Sequence, residues 1–238
     1  MFGKRKVAMM LAEFVGTGAL TLVVLSVAKS TIGIPYFVAV AAGLMVALMV
    51  LAVGAVSGAH LNPALTLGLW TARKITTLRA ITYIAMQLLG AYGAYWLYRY
   101  LVNNLHGSWP NTGHFTARVM VAEAVGAFVF AFGWMAAARQ KFEAGRFAAA
   151  AGLALVVGMI IASAGSNGFI NPAVALGARS WGWGTYVLGP VVGAVVGVNL
   201  YSMLFADSSK PAVAVATASR AVTVKPAAKK RPVAKKKK

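Results

Sequence analysis

Two copies of the tripeptide Asn-Pro-Ala, at positions 62–64 and 171–173, constrain the fold of this chain more than any other feature. Asparagine is favoured at a helix N-cap, and proline suits the first helical position, where its missing N–H costs nothing. Each copy therefore predicts the start of a helix. The stretches that follow, 65–72 and 174–180, are shorter than the roughly 20 residues needed to cross a bilayer. The sequence thus predicts two half-helices.

The rest of the chain predicts that these half-helices lie inside a membrane. Of its 238 residues, 60% are hydrophobic and 11% are charged, and its mean hydropathy is +0.73, which is outside the range of ordinary soluble domains. The first apolar run is longer than a signal-peptide core and lacks a clear cleavage site, which favours a retained span. We predict six membrane spans, at about 7–28, 35–56, 78–101, 119–138, 147–164 and 185–206.

A half-helix that begins inside a membrane needs polar surroundings at its start. Its first backbone N–H groups are unpaired, and its N-terminus carries roughly half a positive charge. Lipid cannot solvate such an end, so it must be buried in protein or face a water-filled cavity. Two such starts therefore indicate a polar path through the protein.

The chain also repeats itself at a nearly constant spacing. The offset is 110 residues between Glu13 and Glu123, 109 between Gly43 and Gly152, and 109 between the two triplets. Because each copy contains three spans, the second copy must be inverted relative to the first, and the half-helices then enter from opposite faces. The predicted domain covers residues 1–206, with repeats at about 4–101 and 118–206.

The charge distribution predicts the orientation. The chain has 23 Lys and Arg against four Asp and Glu, a net charge of +19. Basic residues at 4–6, 73–79 and 139–146 and the C-terminal tail fall on one side, which should be cytoplasmic. The sequence therefore predicts an integral protein of a cytoplasmic or inner membrane, with both termini in the cytoplasm.

The segment 207–238, rich in Lys, Ala and Pro, predicts a disordered tail because it has little apolar surface and many like charges. Three roles are open for it. It could be a solvated cytoplasmic extension, or it could bind anionic lipid headgroups. Nucleic acid is the third candidate partner, but the segment lacks interleaved aromatic residues or a binding fold.

Several motifs together resemble the aquaporins, or major intrinsic proteins. They lie at 12–18, 57–66, 87–91, 122–123, 171–173 and 188–190. The resemblance implies an all-α membrane protein of six transmembrane helices plus two half-helices in an inverted repeat. It also implies a homotetramer with one pore in each subunit, and a passive channel for water and small neutral solutes such as urea, glycerol, ammonia or peroxide. It implies neither an enzyme, nor a cofactor, nor a metal site.

The resemblance assigns roles to individual residues. Asn62 and Asn171 would cap the half-helices and turn amide donors toward the solute. Glu13 and Glu123 would brace the half-helix loops, although a proton relay is the other role that a carboxylate in an apolar span suggests. His60 would pack in its loop, the alternative being a ligand or a pH sensor. The pore motif would comprise Asn62, Pro63, Ala64, Asn171, Pro172 and Ala173.

The sequence departs from the family at the selectivity filter. Family members commonly carry an Arg directly after the second triplet, and here that residue is Val174. Spacing from the triplets places Ala42, Met159 and Gly168 at the other filter positions. This ring would be wider and more apolar than that of a strict water channel, and Val at this position is similar to some tonoplast intrinsic proteins. An apolar ring admits larger solutes but could also dewet.

Two other functions compete with a channel. A membrane scaffold or junction protein could keep the fold and lose conduction, and the unusual filter and long tail motivate that alternative. An ion-coupled transporter is disfavoured because Glu13 and Glu123, the carboxylates inside the spans, match structural positions of the family.

Overall fold

The computed structural model describes residues 3–31, 33–103, 115–180 and 182–205. All regular structure in these ranges is helical. The predicted tail at 207–238 lies outside the described residues, as does most of the loop between the third and fourth spans. The elements are α1 Lys4–Ala28, α2 Pro35–Ser57, α3 Pro63–Thr71, α4 Thr77–Leu101, α5 Ala117–Arg139, α6 Ala144–Ser163, α7 Pro172–Gly177, a π-helical segment Trp183–Leu188, and α8 Gly189–Phe205.

The long helices confirm the predicted all-α membrane fold. Five are long and apolar enough to cross a membrane, namely α1, α2, α5, α6 and the continuous helix Trp183–Phe205. The sixth, α4, is 25 residues long, as α1 is. It carries more polar side chains than α1, among them the buried Gln87 and Arg99. Together with the short α3 and α7, these helices give the expected six spans and two half-helices.

Side-chain burial is distributed as expected for a protein surrounded by lipid. Large apolar side chains point outward from the spans, with Leu44 67% and Leu153 64% exposed. Polar side chains such as Glu13, Gln87 and Glu123 are fully buried inside the bundle. This distribution matches the need to satisfy polar groups within the protein when the exterior is hydrocarbon.

The helices pack in pairs that follow the repeat. Within the repeats, α1 packs on α4 and α5 packs on α8. Between the repeats, α2 packs on α6, and each half-helix packs on the last helix of the other repeat, α3 on α8 and α7 on α4. Neither half-helix is therefore enclosed by its own repeat alone.

The crossing of α2 and α6 depends on Gly43 and Gly152, two of the landmarks that revealed the repeat. A Cβ atom at Gly43 would lie 2.7 Å from the carbonyl oxygen of Gly152, and one at Gly152 would lie 2.6 Å from the carbonyl oxygen of Gly43. Such distances are shorter than van der Waals contact, so only glycine allows these backbones to approach so closely. The pair marks the place where the two repeats meet.

Most helix boundaries lie within three residues of the predicted ones, and two of the differences have a clear structural form. The second half-helix ends at Gly177 instead of at residue 180, because the chain turns into the left-handed region at Arg179, with φ 59°. The last span starts at Trp183, two residues earlier than predicted, and its first six residues are π-helical. The sequence analysis predicted no such segment.

Candidate pore site

The two triplets begin helices in the way the sequence predicts. The Asn62 side-chain oxygen accepts hydrogen bonds from the backbone N–H groups of Ala64 at 2.8 Å and Leu65 at 3.5 Å. The Asn171 side-chain oxygen accepts from Ala173 at 3.0 Å and Val174 at 3.4 Å. Both asparagines are therefore N-caps, and Pro63 and Pro172 occupy the first helical positions.

The amide nitrogens of the two asparagines join the half-helices to each other. The Asn62 Nδ2 donates to the carbonyl oxygen of Ile170, and the Asn171 Nδ2 donates to that of Leu61, both at 2.9 Å. Each acceptor directly precedes the other asparagine in the chain, so the bonds form a reciprocal pair. The two half-helix starts therefore meet at one point inside the bundle.

Each asparagine amide has two N–H groups, and the reciprocal bonds use one of them. Within the described ranges, neither amide has an acceptor for its second N–H group. Both side chains are buried, with Asn62 2% and Asn171 1% exposed. Buried donors are usually satisfied, so these two groups are open to an acceptor from outside the protein.

The loops before the triplets share an unusual backbone conformation. Ala59 and Leu61 have φ of 50° and 52°, and the residues at the matching positions, Gly168 and Ile170, have φ of 66° and 43°. Non-glycine residues rarely adopt this left-handed region, and its cost must be offset by the surrounding structure. The repetition of the same pattern in both loops indicates that it shapes the site.

Glu13 supports the first loop from α1. One of its carboxylate oxygens accepts from the Ser57 hydroxyl at 2.7 Å and from the His60 backbone N–H at 3.0 Å. The other oxygen accepts from the Leu61 N–H and from the Gln87 side chain, both at 2.8 Å. Four donors from three parts of the chain thus converge on one fully buried carboxylate.

Glu123 supports the second loop from α5 in nearly the same way. One oxygen accepts from the Ser166 hydroxyl at 2.7 Å and from the Phe169 N–H at 3.0 Å, and the other accepts from the Ile170 N–H at 2.6 Å. In the part of the chain that the structure describes, no side chain takes the place that Gln87 has beside Glu13. Both carboxylates thus bind the loop that precedes a triplet, and their role as loop supports stays a prediction.

Sequence analysis missed the two serines in these networks. Ser57 and Ser166 each bond their glutamate, and each hydroxyl also accepts a backbone N–H two residues on, from Ala59 at 3.0 Å and Gly168 at 2.9 Å. The signal was present in the sequence, because each serine stands five residues before the asparagine of its triplet. Gln87 gave no comparable signal as a support.

His60 is packed and hydrogen-bonded, as expected for a lone histidine in a tight loop. Its Nδ1 lies 3.3 Å from the Thr66 hydroxyl oxygen. Its ring makes edge-to-face contacts with Tyr83 and Trp134, at centroid distances of 5.2 and 5.9 Å. The side chain also lines a cavity at one end of the bundle.

The predicted filter residues are all placed in the interior, though their role stays a prediction. Ala42, Met159 and Val174 are at most 4% exposed and belong to one cluster of buried apolar residues. Gly168 is close to one of them, because a Cβ atom there would lie 2.8 Å from the Met159 carbonyl oxygen.

Arg179, the nearest arginine after Val174, lies beyond the end of α7. Its guanidinium carbon is 5.3 Å from the centroid of the Tyr95 ring, and the same ring is 5.5 Å from the guanidinium of Arg99. A cation over an aromatic face is a favourable arrangement.

Known proteins resemble this chain over most of its length. The family model for major intrinsic proteins matches residues 4–201. The chain is 35% identical over 210 residues to Aquaporin NIP1-4 of Oryza sativa subsp. japonica, covering 82% of this chain and 76% of the relative. It is 31% identical over 224 residues to Aquaporin Z of Photorhabdus laumondii subsp. laumondii, covering 82% and 96%. The solved aquaglyceroporin from Plasmodium falciparum has a similar fold, with a TM-score of 0.71 at 20% identity, covering 83% of this chain and 96% of that one.

Proposed function

The chain belongs to the major intrinsic protein family of membrane channels, and from that premise we propose that it passes water and small uncharged solutes through a pore lined by the two triplets. Urea, glycerol, ammonia and peroxide are the candidate solutes. The carrying observation is the reciprocal bonding of Asn62 and Asn171, which leaves one N–H group on each amide for a passing oxygen. The family is one of channels, and the protein is not an enzyme.

The same arrangement supports the exclusion of ions. Each half-helix carries roughly half a positive charge at its N-terminus, and the two ends meet at the asparagine pair. A cation or proton at this point would face both positive ends at once, in surroundings that offer little compensation. A neutral solute with an oxygen acceptor would not be repelled.

For the filter, we propose a ring of Ala42, Met159, Gly168 and Val174. Its support is the interior position of all four residues and the proximity of Gly168 to Met159. None of these side chains has a charge or a hydrogen-bond donor, so the ring would discriminate by size more than by polarity. The similarity of Val174 to some tonoplast intrinsic proteins favours a solute range beyond water.

The membrane context completes the proposal. We expect a homotetramer in a cytoplasmic or inner membrane, with both termini in the cytoplasm, because the basic loops fall on one side. The tail at 207–238 would be free in solution or would bind anionic lipid headgroups. Nucleic acid is not an expected partner.

Stopped-flow light scattering of proteoliposomes tests the function. The expected result is faster osmotic shrinkage than in empty vesicles, together with flux of at least one of urea, glycerol and ammonia. Shrinkage and solute flux equal to those of empty vesicles would reject the channel proposal and favour the non-conducting scaffold. A variant that lacks 207–238 should conduct normally, because the tail is outside the pore domain.

A further inference from the structure

A cavity of about 460 Å³ lies at the turn that joins α3 to α4. Its volume is within the range of small-molecule sites, about 300–1,000 Å³. We call it the basic pocket, because basic and hydroxyl side chains make up most of its lining beside one aromatic ring. Its main lining residues are Trp70, Arg73, Lys74, Thr76, Thr77 and Arg79. Guanidinium, ammonium and hydroxyl groups around one opening are the donors that proteins use to bind phosphate oxygens.

The three cations of the basic pocket are exposed, and no carboxylate in the described ranges pairs with them. Two of the three described carboxylates, Glu13 and Glu123, are fully buried and bind the loops before the triplets. The third, Glu143, pairs with Arg146 at 3.5 Å in the region between α5 and α6. The basic pocket therefore presents three positive charges to an anion from outside the described part of the protein.

The polar groups of the pocket are held in place by the turn itself. The Trp70 indole N–H donates to the Thr77 hydroxyl at 3.1 Å, and the Thr76 hydroxyl accepts a backbone N–H from the first turn of α4 at 3.3 Å. Each hydroxyl keeps its own hydrogen, and neither donates it to another described residue. The Lys74 N–H donates to the Leu69 carbonyl oxygen at 2.8 Å and closes the turn. The pocket is thus a shaped site with two further donors.

The surroundings of the basic pocket favour a lipid over a free anion. Because α4 is a membrane span, its first turn lies where the hydrocarbon core meets the lipid headgroups. Leu78 and Ile81, about one helical turn apart on α4, are 63% and 61% exposed, and Trp70 is 40% exposed. Tryptophan is enriched at this boundary in membrane proteins. Apolar contacts for an acyl chain therefore lie beside the cations that suit a phosphate.

We propose that the basic pocket binds the phosphate headgroup of an anionic phospholipid. Arg73, Lys74 and Arg79 contact the phosphate oxygens, and the acyl chains lie along Leu78 and Ile81. Because a guanidinium can donate two parallel hydrogen bonds to one phosphate, the two arginines orient the headgroup as well as attract it. The site is built by the α3–α4 turn and is separate from the C-terminal tail. It does not depend on conduction, so this proposal and the proposed transport function can fail separately.

Thermal unfolding of the full chain in detergent, with lipid added, tests the site. Phosphatidylglycerol should raise the unfolding temperature by roughly 5–10 °C at about a hundredfold excess over its dissociation constant. Phosphatidylcholine, whose headgroup has no net charge, should raise it little. A lipid that binds the folded and the unfolded chain equally gives no shift, so the measurement reports sites that the fold builds.

A triple variant removes the charges of the basic pocket by Arg73→Gln, Lys74→Gln and Arg79→Gln. We expect it to lose the shift caused by phosphatidylglycerol. Each single substitution should weaken binding about fivefold, which corresponds to roughly 1 kcal/mol for one basic residue near an anionic surface. All three side chains are exposed, so the variants should keep the unfolding temperature of the unmodified chain when no lipid is present.

The matched control removes three charges on the same predicted face but outside the basic pocket. It replaces Lys4, Lys6 and Lys141, which are exposed and do not line the pocket, by Gln. This control should keep the full shift. An equal loss of the shift in both triple variants would indicate diffuse attraction to positive charge and would overturn the proposal, as would an undiminished shift in the pocket variant.

Inorganic phosphate separates a lipid from a free anion. At the concentration used for the lipid it should give no shift, because it has no acyl chains to contact α4. A shift equal to that of phosphatidylglycerol would assign the pocket to a free anion and overturn the lipid proposal. Should the triple variant fail to fold, an unchanged dissociation constant for phosphatidylglycerol in the three single variants would overturn it alone.

Discussion

The two half-helices begin identically but are supported unequally. Asn62 and Asn171 make the same capping bonds and the same reciprocal bond to the opposite loop. The carboxylate behind the first loop accepts four hydrogen bonds, one of them from Gln87, whereas Glu123 accepts three among the described contacts. The first half-helix also has nine residues, and the second has six.

Comparing the two half-helices separates two groups of residues. One group fixes the backbone and recurs in both repeats, and the other group differs between the repeats. The paired serines, the glutamates and the left-handed residues recur at equivalent positions, because both half-helices must begin at the same point. His60 has no counterpart of the same type, because Phe169 stands at the matching position of the second repeat. The repeat thus fixes the backbone of both loops, and its departures from symmetry are where we expect discrimination between solutes.

Replacing either glutamate should cause the largest loss of unfolding free energy, and the two losses should differ. Glu13→Ala leaves four buried donors without an acceptor and Glu123→Ala leaves three, at about 1–3 kcal/mol for each group. We expect both variants to lose several kcal/mol of unfolding free energy in detergent, and Glu13→Ala to lose more.

Gln87 supplies the control for this comparison. In a Gln87→Leu background, Glu13→Ala should cost about as much as Glu123→Ala, because the extra donor has been removed. An equal loss for the two glutamates in the otherwise unmodified chain would contradict the unequal supports.

The contact between the repeats should respond to a single methyl group. Gly43→Ala brings a Cβ atom to 2.7 Å from the Gly152 carbonyl oxygen, and such overpacking costs about 1–3 kcal/mol. Gly54→Ala on the same helix is the matched control, since its Cβ atom would first meet Val50 at 3.5 Å. Unfolding in mixed micelles should show a loss for the first variant only; equal stabilities would mean that α2 and α6 can separate at little cost.

Replacing either asparagine by serine tests the reciprocal bonds. Serine also serves as an N-cap, but it has no amide donor for the opposite carbonyl oxygen. Asn62→Ser and Asn171→Ser should therefore each lose about 1 kcal/mol of unfolding free energy, and to the same extent. Unequal losses would show that the two half-helix starts are not equivalent in energy.

Val174 is tested by transport, and the quantity to compare is solute flux. Val174→Arg narrows the proposed ring, and we expect urea and glycerol flux to fall at least about tenfold, equivalent to roughly 1.4 kcal/mol of added barrier. Val174→Leu, which copies the residue at the matching position, Leu65, should change flux only slightly. If Val174→Arg leaves solute flux unchanged in proteoliposomes, Val174 does not lie at the constriction.

The sequence predicted those features that depend on neighbouring residues or on the repeat. Asn62 and Pro63 are recognisable as a helix start because capping is local, and Glu123 is recognisable because it repeats Glu13. Five of the spans in the described residues are recognisable from apolar length alone, whereas α4 is more polar. These signals were sufficient for the fold, for the family and for the meeting of the half-helices.

Features that depend on distant contacts were missed. Gln87 and Glu13 are 74 residues apart in the sequence, so no residue close to Gln87 in the chain predicts their hydrogen bond. The early end of α7 depends on a left-handed backbone at Arg179, a conformation that arginine does not favour by itself.

The reciprocal amide bonds have a consequence for biogenesis. They connect residues 108 and 110 positions apart, so the first triplet leaves the ribosome long before its partner is made. Until the second triplet has been inserted, the Leu61 carbonyl oxygen must find a temporary partner such as water. The reciprocal bonds are therefore expected to form late and slowly during folding, because contacts between distant segments form slowly.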